Sequence, residues 1–578
     1  MRVVRFAVLT VVLLGGSFST SAGAQQAAAP QVPQAAAGSS LTLEQVADRI
    51  FAREAQVVAS LKEYTPLVET YIQNMKPDQT LGVVPASDKY FLGRAALGSE
   101  VGHRSLNDKS GTSKKMLGAF SNFFSLNLQF LPRGFVQMVF LDTTGFDRNN
   151  YKLEYVRREF LGDVRCLIFD VQPQPKAGKG RFIGRIWVED QDYTIVRFNG
   201  AYSGSSNSSF YFHFDSWRMQ SGPGLWLPAL VYSEENDMKY SYVKRVRFKS
   251  QTRLWGYNIG RVGQEQELSK VLVEAEVPVT DKTDAQLDAS PVQAQRAWDR
   301  RAEDNVVERL ERIGLMAPHG DVDKILETVI NNLQVTNNLD IQPEVRCRVL
   351  LASTLESFTL GRTIILSRGL VDVLPDEASL GMMLAYELSH IVLGHRIDSS
   401  FAFNDRMLFP DEKTMQHFYF ARDPHEVKAA SDKAMELIAN SPYKDQTASI
   451  NAFLTALNSR APSLTGLISP QMGNKVTFAP AASTVATSER PGSAPPSADA
   501  PAKITIAALP LGGRIKVDPW SSRIEMLKSK PVGLVSDREK MPFEVTPFLP
   551  HLTRQGATSQ QPTPAAAMNA EPPAKPQQ

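Results

Sequence analysis

Glu387 and His390, three residues apart in the segment Tyr386-Glu-Leu-Ser-His390, are the residues of this chain best placed to do chemistry. In the zinc-binding pattern His-Glu-x-x-His, two histidines one helical turn apart hold Zn²⁺, and the glutamate activates the metal-bound water. Tyr386 stands where that pattern has its first histidine. The segment therefore has the base and the second histidine of the zinc-binding pattern but lacks its first histidine ligand.

The segment from Pro375 to His395 is predicted to form the helix that positions these residues. Pro375 suits a first helical position, and Asp376 favours the positive end of the helix dipole. Gly394 is a natural stop. Apolar residues recur at helical spacing and should face a core: Leu380, Leu384, Leu388, Ile391 and Val392. Tyr386 and His390, four residues apart, should then share another face.

Other segments around this helix occur in a recognisable order. A strand-like segment runs from Val345 to Leu351, and a strand and turn run from Gly361 to Leu370. The helix closes with Leu393-Gly-His395, and a later helix ends with Ala434 to Tyr443. Over about residues 310–460 the chain resembles the zinc metallopeptidase family of the CAAX prenyl protease, the heat-shock protease HtpX and the periplasmic protease BepA. The resemblance implies a mainly helical gluzincin-type domain and a zinc cofactor.

The resemblance also assigns roles to particular residues. Glu387 matches the catalytic base, His390 a zinc ligand, and Asp432 an aspartate that follows the third ligand by four residues. Tyr386 and Lys428 occupy the other two ligand positions, so we expect zinc to be weak or absent. The expected function is a weakly catalytic or non-catalytic factor that binds envelope polypeptides or outer-membrane proteins in a chaperone-like way.

Two alternatives remain open at this site. A displaced ligand set of His390, His395 and His425 would make the chain an active zinc metalloendopeptidase in envelope protein quality control. Lys428 could supply the positive charge that zinc would otherwise place beside Glu387, or it could pair with Asp432 on a helix surface.

Composition and the start of the chain favour an exported protein. The 578 residues include 63 basic and 61 acidic side chains, a near balance without a nucleic-acid-binding footprint. Residues 1–24 have a basic start, an apolar run and small residues before Ala24, as in a cleavable secretory signal. No later run reaches transmembrane length. We expect cleavage near Ala24 and a periplasmic or secreted protein without a transmembrane anchor.

The first half of the chain is predicted to be rich in β-strands. A helix is expected from Leu41 to Met75, followed by short aromatic and β-branched runs. Arg181 to Val188 and Tyr193 to Gly200 should form a hairpin. This half weakly resembles the half-barrels of periplasmic lipoprotein carriers, which would imply a concave surface for an acyl chain or an unfolded polypeptide. The alternative, that the aromatic residues fill their own core, is favoured.

The sequence thus predicts a multidomain α+β protein with an antiparallel half-barrel-like domain, a gluzincin-type domain and a partly disordered tail. Its expected divisions are a signal peptide (1–24), a linker (25–40), a helix with the β-rich domain (41–280), a metallopeptidase-like domain (281–460), a disordered linker (461–503), a docked extension (504–554) and a disordered tail (555–578).

Overall fold

The structure is a computed structural model that describes part of the chain. The described residues are 41–79, 82–98, 101–106, 132–142, 145–178, 180–203, 212–239, 245–259, 291–342, 344–396, 411, 422–460, 515–526 and 552–554. The predicted signal peptide, both predicted linkers and the predicted tail lie outside them.

A long helix and a large antiparallel sheet form the first part of the described chain. The helices are α1 (Leu43–Leu61) and the short α2 (Pro132–Gln137). The strands are β1 (Leu67–Asp78), β2 (Gly82–Leu97), β3 (Val101–Ser105), β4 (Tyr151–Leu161), β5 (Val164–Pro173), β6 (Phe182–Glu189), β7 (Ile195–Tyr202), β8 (Phe214–Gly222), β9 (Leu225–Lys239) and β10 (Arg245–Trp255).

These ten strands form one open sheet in the order β3-β2-β1-β10-β9-β8-β7-β6-β5-β4. Every sequential pair from β4 to β10 is antiparallel. Strand β1 is also antiparallel to β10, with Leu67 opposite Trp255. Phe182 pairs with Tyr202, which confirms the hairpin predicted from the alternating apolar residues. The antiparallel, unclosed sheet predicted for this half is therefore present.

The predicted helix from Leu41 to Met75 is too long. Helix α1 ends at Leu61, and residues from Leu67 onward belong to a strand. Pro66 explains the boundary, because a proline disfavours helical geometry in the residue before it. The β-branched and aromatic residues that follow it then pair in the sheet.

The second part of the described chain is mainly helical around a small sheet. Its helices are α3 (Pro291–Ile313), α4 (Asp321–Thr336), α5 (Arg368–Val373), α6 (Glu377–Val392), α7 (Pro424–Ala439) and α8 (Thr447–Arg460). Its strands are β11 (Arg346–Leu350), β12 (Ser357–Leu360) and β13 (Thr363–Ser367), with β11 parallel and β12 antiparallel to the central β13. None of the helices in the described ranges has both the length and the apolar character needed to cross a membrane.

Apolar packing joins the two parts. Leu67 and Trp255 of the large sheet belong to the same buried cluster as Leu384 and Leu388 of α6. The Trp255 indole also donates to the Gly314 carbonyl oxygen at 2.8 Å, just beyond α3. The large sheet and the helices around the candidate site therefore share one hydrophobic core.

Two short pieces of the C-terminal region pack on this body. A hairpin of β14 (Ile515–Val517) and β15 (Ile524–Met526) inserts Ile515 and Ile524 into the shared core. Farther along, Leu552 packs in a second apolar cluster with Trp217 and Trp226 of the large sheet.

Candidate functional site

Helix α6 carries the residues that sequence spacing singled out. The Asp376 side chain caps it by accepting from the Ser379 amide at 2.8 Å, and the helix ends at Val392, before Gly394. These bounds confirm the predicted helix, but Pro375 precedes the Asp376 cap and is not in the first helical position as predicted. Its apolar content is spread around the helix, which is buried from Ala378 to His390 except at Leu380.

Glu387 is enclosed and hydrogen-bonded on both oxygens. Its exposed fraction is 2%. The hydroxyls of Ser357 and Thr359 donate to Oε1 and Oε2 respectively, each at 2.6 Å. These two hydroxyls share one face of β12, because side chains alternate along a strand. Burial raises the pKa of Glu387, and the two hydroxyl bonds oppose that rise.

Arg422 is the cation that lies near this carboxylate. Its guanidinium is half-buried, donates to the Thr359 carbonyl oxygen at 3.2 Å, and acts to lower the pKa of Glu387. Burial in turn lowers the pKa of Arg422. Sequence reasoning missed this residue because it lies outside every motif. Its position immediately before the Asp423-Pro424 helix start was the only local signal.

His390 faces a second histidine. Its Nδ1 lies 2.8 Å from Nδ1 of His395, so one ring donates to the other. The Tyr386 ring packs edge-on against His390, with centroids 4.9 Å apart. Burial, aided by Arg422 and His395, lowers the pKa of His390 to about 3. The imidazole of His390 is therefore neutral at pH 7, and its Nδ1 is used within the protein.

Helix α7 packs beside α6 but turns its charged residues outward. Lys428 donates to Asp432 at 2.8 Å, and their side chains are 71% and 69% exposed. This is the surface-pair alternative of the sequence analysis. Lys428 does not replace a metal charge beside Glu387, since Arg422 lies there instead. His425, in the first turn of α7, is exposed, and its amide donates to the capping Asp423 at 2.8 Å.

The residues present do not fit a zinc ion. Within the ranges that the structure describes, no three histidine, cysteine, aspartate or glutamate side chains converge as a possible metal group. His390, His395 and His425 are therefore not assembled as the displaced ligand set. Both described cysteines, Cys166 and Cys347, are buried free thiols, and burial raises the pKa of each.

The aromatic residues of the large sheet pack on one another. The rings of Phe182 and Phe198 are 5.8 Å apart, and those of Phe198 and Phe214 are 6.0 Å apart. A Cβ atom at Gly184 or Gly200 would lie 2.2 Å from a backbone oxygen of the paired strand and 2.9 Å from the Phe182 ring, so the two glycines allow both the close pairing and the ring. This arrangement follows the alternative in which the aromatic residues fill their own core.

Helix α1 covers the same region through a buried ion pair. Both oxygens of Glu54 accept from the Arg218 guanidinium at 2.6 Å, and the two side chains are 1% and 0% exposed. The guanidinium also lies over the Phe198 ring, 5.7 Å from its centroid. Loss of one partner would leave a buried charge, so this pair fixes α1 on the sheet.

Comparisons with known proteins correct the family resemblance. No family model and no curated protein matches the chain. Among solved structures, a DUF1329 family protein from Desulfovibrio piger matches at 12% identity and a TM-score of 0.18, covering 40% of this chain and 98% of that one. With no convergent metal group in the described residues, the assignment to the zinc metallopeptidase family is wrong. The short motifs that suggested this family are local helix and strand signals, which many folds share.

Proposed function

We propose that this chain is an exported binding protein that holds extended envelope polypeptides and does not hydrolyse them. The hydrogen bonds of Glu387 support the non-hydrolytic part of the proposal. A glutamate that activates water needs an oxygen directed at that water. Here each oxygen accepts a hydroxyl hydrogen bond at 2.6 Å, from Ser357 and Thr359 respectively, and the residue is 2% exposed. Glu387 therefore joins α6 to β12 as a structural residue.

The outer edge of β4 supports polypeptide binding. This strand of 11 residues ends the sheet, and among the described residues only β5 pairs with it. An open edge offers unpaired amides and carbonyls to an added strand. Tyr155 and Phe160 on β4 are 39% and 68% exposed, which gives an added strand apolar contacts. Lys152 and Arg158 are exposed on the same strand and favour a client with acidic residues.

The proposed location and client class rest on the predicted leader. A leader cleaved near Ala24 would deliver the protein to the periplasm or beyond, where outer-membrane proteins pass through in unfolded form. An acyl ligand in the sheet is the weaker candidate, because Phe182, Phe198 and Phe214 contact one another in the described interior. A polypeptide client needs only the edge and leaves that packing intact.

The test uses an unfolded outer-membrane β-barrel protein diluted from urea, with aggregation followed by light scattering. The unaltered chain should suppress aggregation, and Tyr155→Lys with Phe160→Lys should lose most of that effect. Val335→Lys is the matched control, since Val335 is 66% exposed on α4, in the other part of the molecule. Electrophoresis of the same samples should show an intact client. Client fragments that disappear in a folded Glu387→Gln variant would contradict the proposal.

A further inference from the structure

A cavity of about 370 Å³ lies where the β14–β15 hairpin meets the end of β8. This volume falls in the range of small-molecule sites, roughly 300–1,000 Å³. Met219 of β8 and Leu552 of the C-terminal region line its apolar side. The cavity is composite, since its walls come from three segments that are far apart in sequence.

One face of the hairpin supplies the charged wall. Lys516 is directly opposite Glu525, whereas the core-facing Val517 is opposite Ile524. Because side chains alternate along a strand, Asp518 and Arg523 fall on the face of Lys516 and Glu525. All four charged residues line the cavity. The wall therefore alternates cations and anions.

Two of these charges are already used by the protein. Lys516 donates to the Thr553 hydroxyl at 3.1 Å, and Asp518 accepts from the Trp520 amide at 3.1 Å. Asp518 also accepts from the Ser521 hydroxyl at 2.5 Å. Arg523 and Glu525 are exposed, and within the described part of the chain neither side chain makes a hydrogen bond or an ion pair. A guanidinium and a carboxylate thus remain for a ligand.

We propose that this cavity binds a small zwitterion, a free amino acid or a short peptide with free ends. Arg523 receives the ligand carboxylate, since a guanidinium matches a carboxylate with two parallel bonds. Glu525 receives the ammonium group, and Met219 and Leu552 contact an apolar side chain. Arg523 and Glu525 are two residues apart, so their backbones are about 6.7 Å apart along the strand. That spacing suits a ligand with its opposite charges at two ends.

This site does not depend on the β4 edge or on the proposed polypeptide binding. The probe is the dipeptide Leu-Leu, titrated by calorimetry into the full chain, with leucine as a second probe. N-acetyl-Leu-Leu and Leu-Leu-amide each lack one charge and should each bind up to about fivefold more weakly, the upper limit for an exposed ion pair. The comparison of leucine with Leu-Leu assigns the ligand length.

The variants Arg523→Gln and Glu525→Gln test which end each residue holds. Arg523→Gln should weaken Leu-Leu up to about fivefold and remove the difference between Leu-Leu and its amide. Glu525→Gln should remove the difference between Leu-Leu and its acetylated form. Arg312→Gln on α3, which is exposed and does not line the cavity, is the control and should bind as the unaltered chain does. Failure of both probes to bind, or binding that neither capping nor these variants change, would overturn the proposal.

Discussion

Helices α6 and α7 were expected to build one site together, and they differ in almost every physical respect. On α6, Glu387 is 2% exposed and receives two hydroxyl hydrogen bonds. On α7, Lys428 and Asp432 are 71% and 69% exposed and contact each other. The spacing along each helix was read correctly, but the second helix presents its charged face to solvent. A motif spacing therefore fixes which residues share a face, and tertiary packing decides what that face meets.

The difference predicts where substitutions matter. Removing the hydrogen bonds of a buried carboxylate lowers the free energy of unfolding by several kcal/mol, whereas an exposed ion pair contributes at most about 1 kcal/mol to it. The loss in the free energy of unfolding should therefore be several-fold larger for substitutions around Glu387 than for substitutions of Lys428 or Asp432.

The largest effect is expected from Ser357→Ala combined with Thr359→Val. These changes remove both donors to Glu387 and leave a buried carboxylate unpaired, so the free energy of unfolding should fall by about 2–5 kcal/mol. Urea denaturation followed by circular dichroism measures it. Thr328→Val on α4 is the control, because the Thr328 hydroxyl is exposed and donates only to the Lys324 carbonyl of its own helix. Equal small losses in both variants would show that Glu387 is not held as the structure indicates.

Glu356, a half-buried residue whose Oε2 is enclosed, sharpens the comparison through pH. Its Oε2 has no hydrogen-bond partner among the described residues, and burial, with the Glu69 carboxylate adding to it, raises the pKa to about 8. Between pH 4.5 and 8 the unfolded chain loses this proton and the folded chain keeps it. The contribution of Glu356 to stability is therefore full below about pH 4.5 and is lost as pH rises to about 8.

Glu356→Gln should remove that contribution to the pH dependence. The unfolding free energy of the unaltered chain, minus that of the variant, should fall from pH 5 to pH 8 and level off above it. Each unit of pKa difference corresponds to about 1.4 kcal/mol, so denaturation curves at four pH values resolve the trend. A difference that stays constant across this range would mean that the Glu356 carboxyl ionises as in the unfolded chain.

The parts of the fold that sequence predicted are those with local signals. The ends of α6 follow from Asp376 and Gly394, and the β6–β7 hairpin follows from alternating apolar residues. The end of α1 also had a local signal in Pro66, which the prediction did not use. The sequence can therefore predict elements whose boundaries depend on adjacent residues.

The candidate site was less predictable because its contacts are long-range. Ser357 and Thr359 reach Glu387 from 30 and 28 residues away. Their alternation with Phe358 and Leu360 places both hydroxyls on one face, but no sequence rule links that face to α6. Arg422 approaches from a segment outside every motif. Local patterns thus predicted the helix, and only tertiary packing shows that Glu387 bonds to Ser357 and Thr359 of β12.

The smallest effect is expected on α7, and it tests the correction of the metal site. The double substitution Tyr386→His and Lys428→Glu restores the residue types of the zinc-binding pattern. Because Lys428 is 71% exposed and paired with Asp432, the new glutamate should point to solvent, so zinc affinity should change less than about tenfold. Lys428→Ala alone should cost at most about 0.5 kcal/mol. Zinc measured by atomic emission after dialysis, with the Lys433→Glu variant as control, decides the question. Stoichiometric zinc in the double variant, absent from each single one, would show that α6 and α7 can form the site that their spacing suggested.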